Sequence, residues 1–592
     1  MEINHKLGLL RNKMAEYRLD GYVVNNSDPH FSEYLPERFR QIRWLSNFSG
    51  SNALVFVTNN EALLWTDGRY YIQAERELAG SDFKMVKMAT KGHLTLVEAI
   101  KKLLPSGRTL GVDANIISQK SYEEIEKVCE ENEIELVDKY DLISEIWSDR
   151  PELSKNETFI HNVEFTGFTA KEKVELLREE MSKIGADSTV ISSLVDIAWL
   201  YNLRGSDINN NPVITSYAVI DMDHAMFFID SDKLTLDTLE HLHSNEIDYL
   251  GYDEVFARVN NFKNQSIVLD KNNTARSIFK LIDDSNKIID KRDLTSDLKA
   301  KKNETEIENQ KNAYIKDGVA LTKFIYWLKN HKDISRETEF TVGKKLEEFR
   351  KEQENYIMDS FDTIAGYQEN GAMMHYRAEE ETAKKLKNEG FLLVDSGGQY
   401  LDGTTDTTRT MALGKLTDEE IKDFTLVLKG HIDLLDTIFL EGTTGHALDA
   451  ITRRPIWKER MDYKSGTGHG VGYFLGVHEG PQNISRKEGG APLEEGMVVT
   501  VEPGIYKEGK YGIRTENVAL VIKDEDTPDG QFFKFEVMSF VPIDIDAIDV
   551  ELLDEDQKQY LNNYHKDVYN NLKDYLTREE SKWLKDVTKP ID

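Results

Sequence analysis

The stretch Val394-Asp395-Ser396-Gly397-Gly398-Gln399-Tyr400-Leu401-Asp402-Gly403-Thr404-Thr405-Asp406 anchors the reading of this chain. An apolar run from Phe391 leads into Asp395, and the pairs Gly397-Gly398 and Asp402-Gly403 are turn signals. The segment therefore reads as strand, glycine turn, strand, a path that returns two carboxylates eleven residues apart to one point. Three more ligand-type side chains stand in similar settings downstream. Gly466-Thr-Gly-His469-Gly-Val-Gly472 sets a histidine among glycines, whose small size lets backbone and metal approach closely. Val501-Glu502-Pro-Gly504 ends a strand with a carboxylate, and Arg514-Thr-Glu516-Asn517 places one beside a cation. Asp395, Asp406, His469, Glu502 and Glu516 form a hard, oxygen-rich donor set. It suits Mn²⁺, Zn²⁺, Co²⁺ or Fe²⁺ and is wrong for Fe–S or Cu(I). Four carboxylates over-neutralise one dication but balance two, which bridging carboxylates hold about 3.5–4 Å apart. In a chain with 106 acidic residues any one of these reads as solvated surface, whereas the five together, all beside strands or glycine turns, do not.

Around this stretch the segment opens near Lys301 with helical periodicity (Ile307, Ala313, Ile315, Val319, Leu321, Ile325) and a second helix after Thr338. Short strands and Gly-rich turns follow, which predicts an α+β domain with helices on one face of an antiparallel sheet. After about Val541 the tail returns to helix, and Thr577-Arg-Glu-Glu580 has capping-box spacing. Upstream lies a repeat. Met14-Ala-Glu-Tyr-Arg-Leu-Asp20 and Met181-Ser-Lys-Ile-Gly-Ala-Asp187 each precede an apolar strand, and Trp44-Leu-Ser-Asn47 matches Trp199-Leu-Tyr-Asn202. The expected division is 1–160 and 161–300 as two copies of one α/β domain, 301–540 as the α+β domain and 541–592 as a helical extension.

The chain has 592 residues, which at roughly 150 per domain predicts three to five domains. A net charge of −32 makes nucleic acid a poor partner. Cys129 is the one cysteine, so no intrachain disulfide forms, as in a reducing compartment. No apolar run approaches the roughly 18 residues of a membrane span. Ile3, Leu7, Leu10, Met14 and Tyr17 read as an amphipathic helix rather than a signal segment. The expectation is a cytoplasmic protein without a membrane partner.

The run from Asp395 to Asn517 resembles the metal centre of the pita-bread metallopeptidases, family M24, which include aminopeptidase P, prolidase and methionine aminopeptidase. Ser360-Phe-Asp-Thr-Ile-Ala-Gly366, Asn370-Gly-Ala-Met-Met-His375-Tyr376, Val477-His478-Glu-Gly-Pro481 and Glu502-Pro-Gly-Ile-Tyr506 are similar to the aminopeptidase P (Xaa-Pro aminopeptidase) family in its long form. Ile548-Asp-Val550 and Trp583-Leu584 with Thr588-Lys-Pro590 extend the likeness to the tail. The resemblance implies two creatinase-like N-terminal α/β domains, a pita-bread α+β catalytic domain and a helical C-terminal extension. It implies two Mn²⁺ per subunit, with Zn²⁺ or Co²⁺ as alternatives, bridged by Asp406 and Glu516. Asp395 completes one site and His469 with Glu502 the other. A water between the ions is acidified, and Glu502 helps activate it and shuttle its proton. His375 and His478 contact substrate and the tetrahedral oxyanion. Arg514 holds the metal carboxylates.

The family commonly has His four residues before the metal histidine; here that position is Ser465. This implies altered contacts on the leaving-group side, with metal binding and hydrolysis retained. Trp65-Thr-Asp-Gly-Arg69-Tyr70 also resembles a family motif, leaving Arg69 either as a structural turn residue or as a contact to substrate in a partner's site. A homodimer is a family expectation. The implied substrates are peptides with proline second. Xaa-Pro is a tertiary amide without an N–H, so general peptidases that need that donor cannot bind it productively. Prolidase action on Xaa-Pro dipeptides, a non-enzymatic binding module as in histone-chaperone relatives, and metal-free creatinase chemistry are the alternatives. The last two are disfavoured by the complete donor set.

Overall fold

The computed structural model describes residues 2–592. It consists of two units, Met1–His161 with Phe168–Ser296, and Asn162–Gly167 with Asp297–Asp592.

The first unit holds the expected repeat. Helix Ile3–Glu16 buries Leu7, Leu10 and Met14 at helical spacing and leads into strand Gly21–Asn25. Helix Ala170–Lys183, capped by the Thr169–Glu172 box, leads into Ser188–Ile191 in the same way. Each first strand runs antiparallel to the next, Ala53–Thr58 in one copy and Ser216–Asp221 in the other. Each pairs on its opposite edge in parallel, with Thr109–Gly111 and Ser266–Leu269 respectively. Both sheets have six strands in equivalent order. The shared Trp-Leu-x-Asn phrase has a backbone cause. Asn47 (φ 62) and Asn202 (φ 52) follow the two short helices in the left-handed conformation that asparagine tolerates. Cys129 is buried, and burial pushes its thiol up to about 11, so it carries no thiolate chemistry.

In the second unit helix Glu304–Lys329 starts at an Asn303–Glu306 capping box, and helix Glu339–Lys351 is capped by Thr338, as expected. The antiparallel strands are divided among several sheets. Six strands, from Phe439–Leu440 at one edge to Glu479–Ile484 at the other, form the largest. Phe391–Ser396 lies between Ile364–Tyr367 and Thr407–Ala412 in a second. Gly398–Tyr400 lies between Tyr356–Asp359 and Gly403–Thr404 in a third. Gly504–Lys507 and Tyr511–Arg514 form a hairpin.

The α+β class holds, but the simple order of helices followed by strands does not. Helices Asp418–Leu435 and Gly445–Lys458 interrupt the strands. The first carries a readable signal, a Thr417–Glu420 box followed by buried Phe424, Val427, Leu428, Ile432 and Leu435. The second hides behind an internal Pro455. The tail forms helices Glu555–Leu572 and Arg578–Val587, the latter capped by Thr577 and Glu580. Leu561, Tyr564, Val568 and Leu572 join the same core as Phe424 and Ile432, so the extension is part of this unit's interior. Among the described residues no helix is long and apolar enough to cross a membrane.

Gly397 is not in a turn. It is the point where the chain leaves one sheet and enters another. A Cβ there would stand 1.8 Å from the Thr405 carbonyl oxygen and 2.3 Å from Ser360 Oγ. The reversal itself is the Leu401-Asp402 pair between the two short strands. Gly397→Ala is therefore expected to lower stability by about 1–3 kcal/mol through overpacking. This is checked by thermal denaturation, where an unchanged Tm would show that the backbone yields.

Candidate metal centre

Antiparallel pairing places Asp395 opposite Thr408, which brings Asp406 back beside it, as the quoted stretch predicts. His469 Nε2 lies 3.4 Å from Asp406 Oδ2 and 3.6 Å from Glu502 Oε1. Ligand atoms of Asp406, His469 and Glu516 all lie within 4.8 Å of one another. Asp395 is tied to the group through Arg514, whose Nη2 donates to Asp395 Oδ2 at 2.5 Å. Its other oxygen, Oδ1, is buried and has no hydrogen-bond partner.

The local backbone explains each placement. His469 lies in strand Gly468–Gly470. A Cβ on Gly468 would meet the Thr500 carbonyl oxygen at 1.9 Å, and one on Gly470 the Glu479 carbonyl oxygen at 2.2 Å. His469 Nδ1 lies 2.8 Å from the Gly470 carbonyl oxygen, which only accepts. Nδ1 therefore carries the proton and Nε2 is left facing the carboxylates. Glu502 follows strand Val498–Val501, and its N–H donates to the Thr467 carbonyl at 2.7 Å. Glu516 Oε2 accepts from Thr408 Oγ1 at 2.7 Å. Arg514 spreads its remaining donors to Tyr506 Oη (2.7 Å) and Thr408 Oγ1 (3.2 Å), so one guanidinium braces three strands.

Crowding of buried like charges dominates the electrostatics. Burial, then Asp406, Asp395 and Glu502, hold the Glu516 carboxyl well above the usual range. Burial raises Asp406, opposed by the adjacent His469 ring and reinforced by Asp395. Burial raises Glu502 against the opposing pull of His469 and Arg514. Protein cations do not balance these carboxylates. Two divalent cations would, and the orphaned Asp395 oxygen and free Nε2 lone pair supply the donors. The residues present fit a dinuclear metal group.

The other expected residues are placed unequally. The His478 ring meets the His469 ring edge-on, centroids 4.2 Å apart. The next residue, Glu479, is gripped in the interior by Lys302 Nζ (2.5 Å) and Lys299 Nζ (3.2 Å), an ion cluster not anticipated from sequence. His375 lies in an exposed turn after the 3-10 segment Gln368–Ala372. Buried Glu339 organises that turn's surroundings. It accepts from the Tyr367 N–H, Asn370 Nδ2, Tyr376 Oη and the Lys384 N–H, and nothing in its sequence context marked it. The Ser465 carbonyl accepts from Arg453 Nη2 at 2.9 Å, while its hydroxyl is buried without a partner. In the first unit Arg69 makes a two-bond contact with Asp67, through Nε at 3.0 Å and Nη2 at 2.7 Å.

Comparison with known proteins shows that the chain belongs to metallopeptidase family M24. Residues 308–523 match Metallopeptidase family M24, and residues 6–146 and 149–306 each match the Creatinase/Prolidase N-terminal domain. Residues 531–591 match the C-terminal region of peptidase M24. Xaa-Pro aminopeptidase 1 of Dictyostelium discoideum is 38% identical, over 100% of this chain and 97% of its own. Aminopeptidase P2 of Arabidopsis thaliana is 35% identical, over 100% and 89%. The crystal structure of X-prolyl aminopeptidase from Caenorhabditis elegans, described as a cytosolic enzyme with a di-nuclear active site, superposes with a TM-score of 0.95. It is 34% identical and covers 100% of both chains.

His431, on helix Asp418–Leu435, donates from Nδ1 to the Val501 carbonyl at 3.0 Å, one residue before Glu502. Burial and then Arg409 push its pKa down to about 3. As pH falls from about 6.5 towards 3, the unfolded chain takes up a proton that the fold refuses. The stability this imidazole contributes at neutral pH is thus progressively lost, at most about 1.4 kcal/mol per pH unit. His431→Asn should flatten the fall in Tm between pH 7 and pH 5; parallel curves for the two proteins would refute the assignment.

Proposed function

We propose that this chain, which belongs to metallopeptidase family M24, removes the N-terminal residue from peptides whose second residue is proline. The observation that carries the reading is the convergence of Asp406, His469 and Glu516 on one point, in a chain alignable from end to end with relatives named Xaa-Pro aminopeptidase. In this reading Asp395, Asp406, His469, Glu502 and Glu516 would hold two Mn²⁺ ions, with Asp406 and Glu516 shared between them. When bound, the dications would supply the acidity that lets water attack an amide near neutral pH.

The chain's own residues do the rest. Glu502, whose carboxylate burial makes a stronger proton acceptor than a solvated one, takes the proton from the attacking water and delivers it to the departing proline nitrogen. His478, in edge contact with His469, and His375 face the substrate and stabilise the oxyanion. Arg514 keeps Asp395 oriented. The acidic cluster anchors the substrate's free amine. Ser465, shorter than the family's usual histidine, leaves the leaving-group side with fewer contacts while Arg453 keeps its backbone in place. The proposal includes domain divisions near residues 160, 300 and 540, a homodimer, and a cytoplasmic location, the last in line with the cytosolic enzyme from C. elegans.

Release of arginine from Arg-Pro-Pro is expected to vanish on chelation and return with Mn²⁺, with Arg-Pro cleaved far more slowly. Cleavage of the dipeptide alone would instead indicate a prolidase. Asp406→Ala and Glu516→Ala are each expected to reduce turnover by at least a thousandfold and to loosen both ions. Retained activity in either would sink the ligand assignment.

A further inference from the structure

The C-terminal extension contributes none of the five proposed donors, yet it reaches their surroundings through one hydroxyl. Tyr564, in the middle of helix Glu555–Leu572, is buried. Its Oη accepts from Arg409 Nη2 at 2.8 Å and from the Val541 N–H at 3.2 Å, and donates to the Val541 carbonyl at 2.7 Å. Both lone pairs and the proton are thereby used.

Arg409 is likewise saturated. Nη1 donates to the Glu516 carbonyl (2.6 Å) and the Thr408 carbonyl (2.8 Å). Nη2 shares its two hydrogens among Tyr564 Oη, Asn517 Oδ1 (2.7 Å) and the Val541 carbonyl (2.8 Å), and Nε donates to the Pro542 carbonyl (3.2 Å). One buried guanidinium thus grips the backbone at Glu516, beside its carboxylate, and at Thr408, whose hydroxyl holds that carboxylate. A cation used only for packing would not need two carbonyls of the ligand-bearing strands. A tyrosine used only for packing would not need to set its hydroxyl against that cation and against the Val541 backbone that the cation also holds. We infer that Tyr564 and Arg409 are positioning residues that fix Glu516 for the metal pair, and that this is the function of the C-terminal extension.

The inference rests on the dinuclear reading above, and its test reads metal binding rather than turnover. Full-length apoprotein is titrated calorimetrically with Mn²⁺. Tyr564→Phe is expected to bind at least fivefold more weakly than wild type. Leu584→Ala, which empties a buried position of the same extension away from Arg409, should stay within twofold. Wild-type-like binding by Tyr564→Phe, or equal weakening by Leu584→Ala, overturns the inference. A wild-type chain that binds fewer than two ions overturns the dinuclear reading and this inference with it.

Should Tyr564→Phe not fold, wild type alone decides through reciprocity, because a residue that favours the ion must be stabilised by it. Mn²⁺ should then slow hydrogen exchange at Val541 and along Glu555–Leu572 more than along Arg578–Val587. Equal or absent slowing overturns the inference.

Discussion

Mutual repulsion among buried carboxylates is the constraint around which the second unit is built. Asp395, Asp406 and Glu516 are almost wholly buried, and together with Glu502 they lie close enough to oppose the ionisation of Asp406, Glu502 and Glu516. Burial of isolated charge costs far more than a typical domain's net stability. The fold must therefore hold these groups together against their own electrostatics. It does so with Arg514 on Asp395 and Thr408 on Glu516. The missing Cβ at glycines 397, 468 and 470 lets neighbouring backbone close in around these groups. The strain is useful. A centre that repels itself when ionised binds divalent cations more strongly than one already neutralised by lysines, and each ion bound displaces protons the burial had favoured.

Buried arginines do much of this work, and they act mainly on backbone. Arg409 holds the carbonyls of Thr408 and Glu516, while Arg453 holds those of Tyr463 and Ser465 and pairs with Asp449 at 2.6 Å. A guanidinium offers five donors in a fixed fork, which suits it to pinning two chain segments at once. Segments rich in glycine gain from such external bracing the rigidity their sequence cannot supply.

Much of this was legible in the sequence, for identifiable reasons. The repeat in the first unit was readable because both copies need the same helix, strand and left-handed asparagine in the same order. The donor set was readable because metal ligands must be drawn from few residue types and set beside turns. Gly397-Gly398 misled: glycine serves close approach as well as reversal, and only the three-dimensional partner, Thr405, distinguishes them. Helix Gly445–Lys458 was hidden by its internal proline. Glu339, Arg409, Arg453 and the Lys299–Glu479–Lys302 cluster were invisible, because their partners are backbone atoms or residues far away in sequence.

The distance along the chain between Arg409 and Tyr564 has a consequence for synthesis. Both six-stranded sheets of the first unit are complete by residue 290, so that unit can fold as it leaves the ribosome. On the proposal above, the donor set is fully translated by Glu516, and Tyr564 follows 48 residues later. Until that tyrosine is made, a nascent chain with all five proposed donors lacks the hydroxyl that bonds Arg409, the residue gripping the Glu516 carbonyl. The order of synthesis thus supplies the donors first and their inferred brace last.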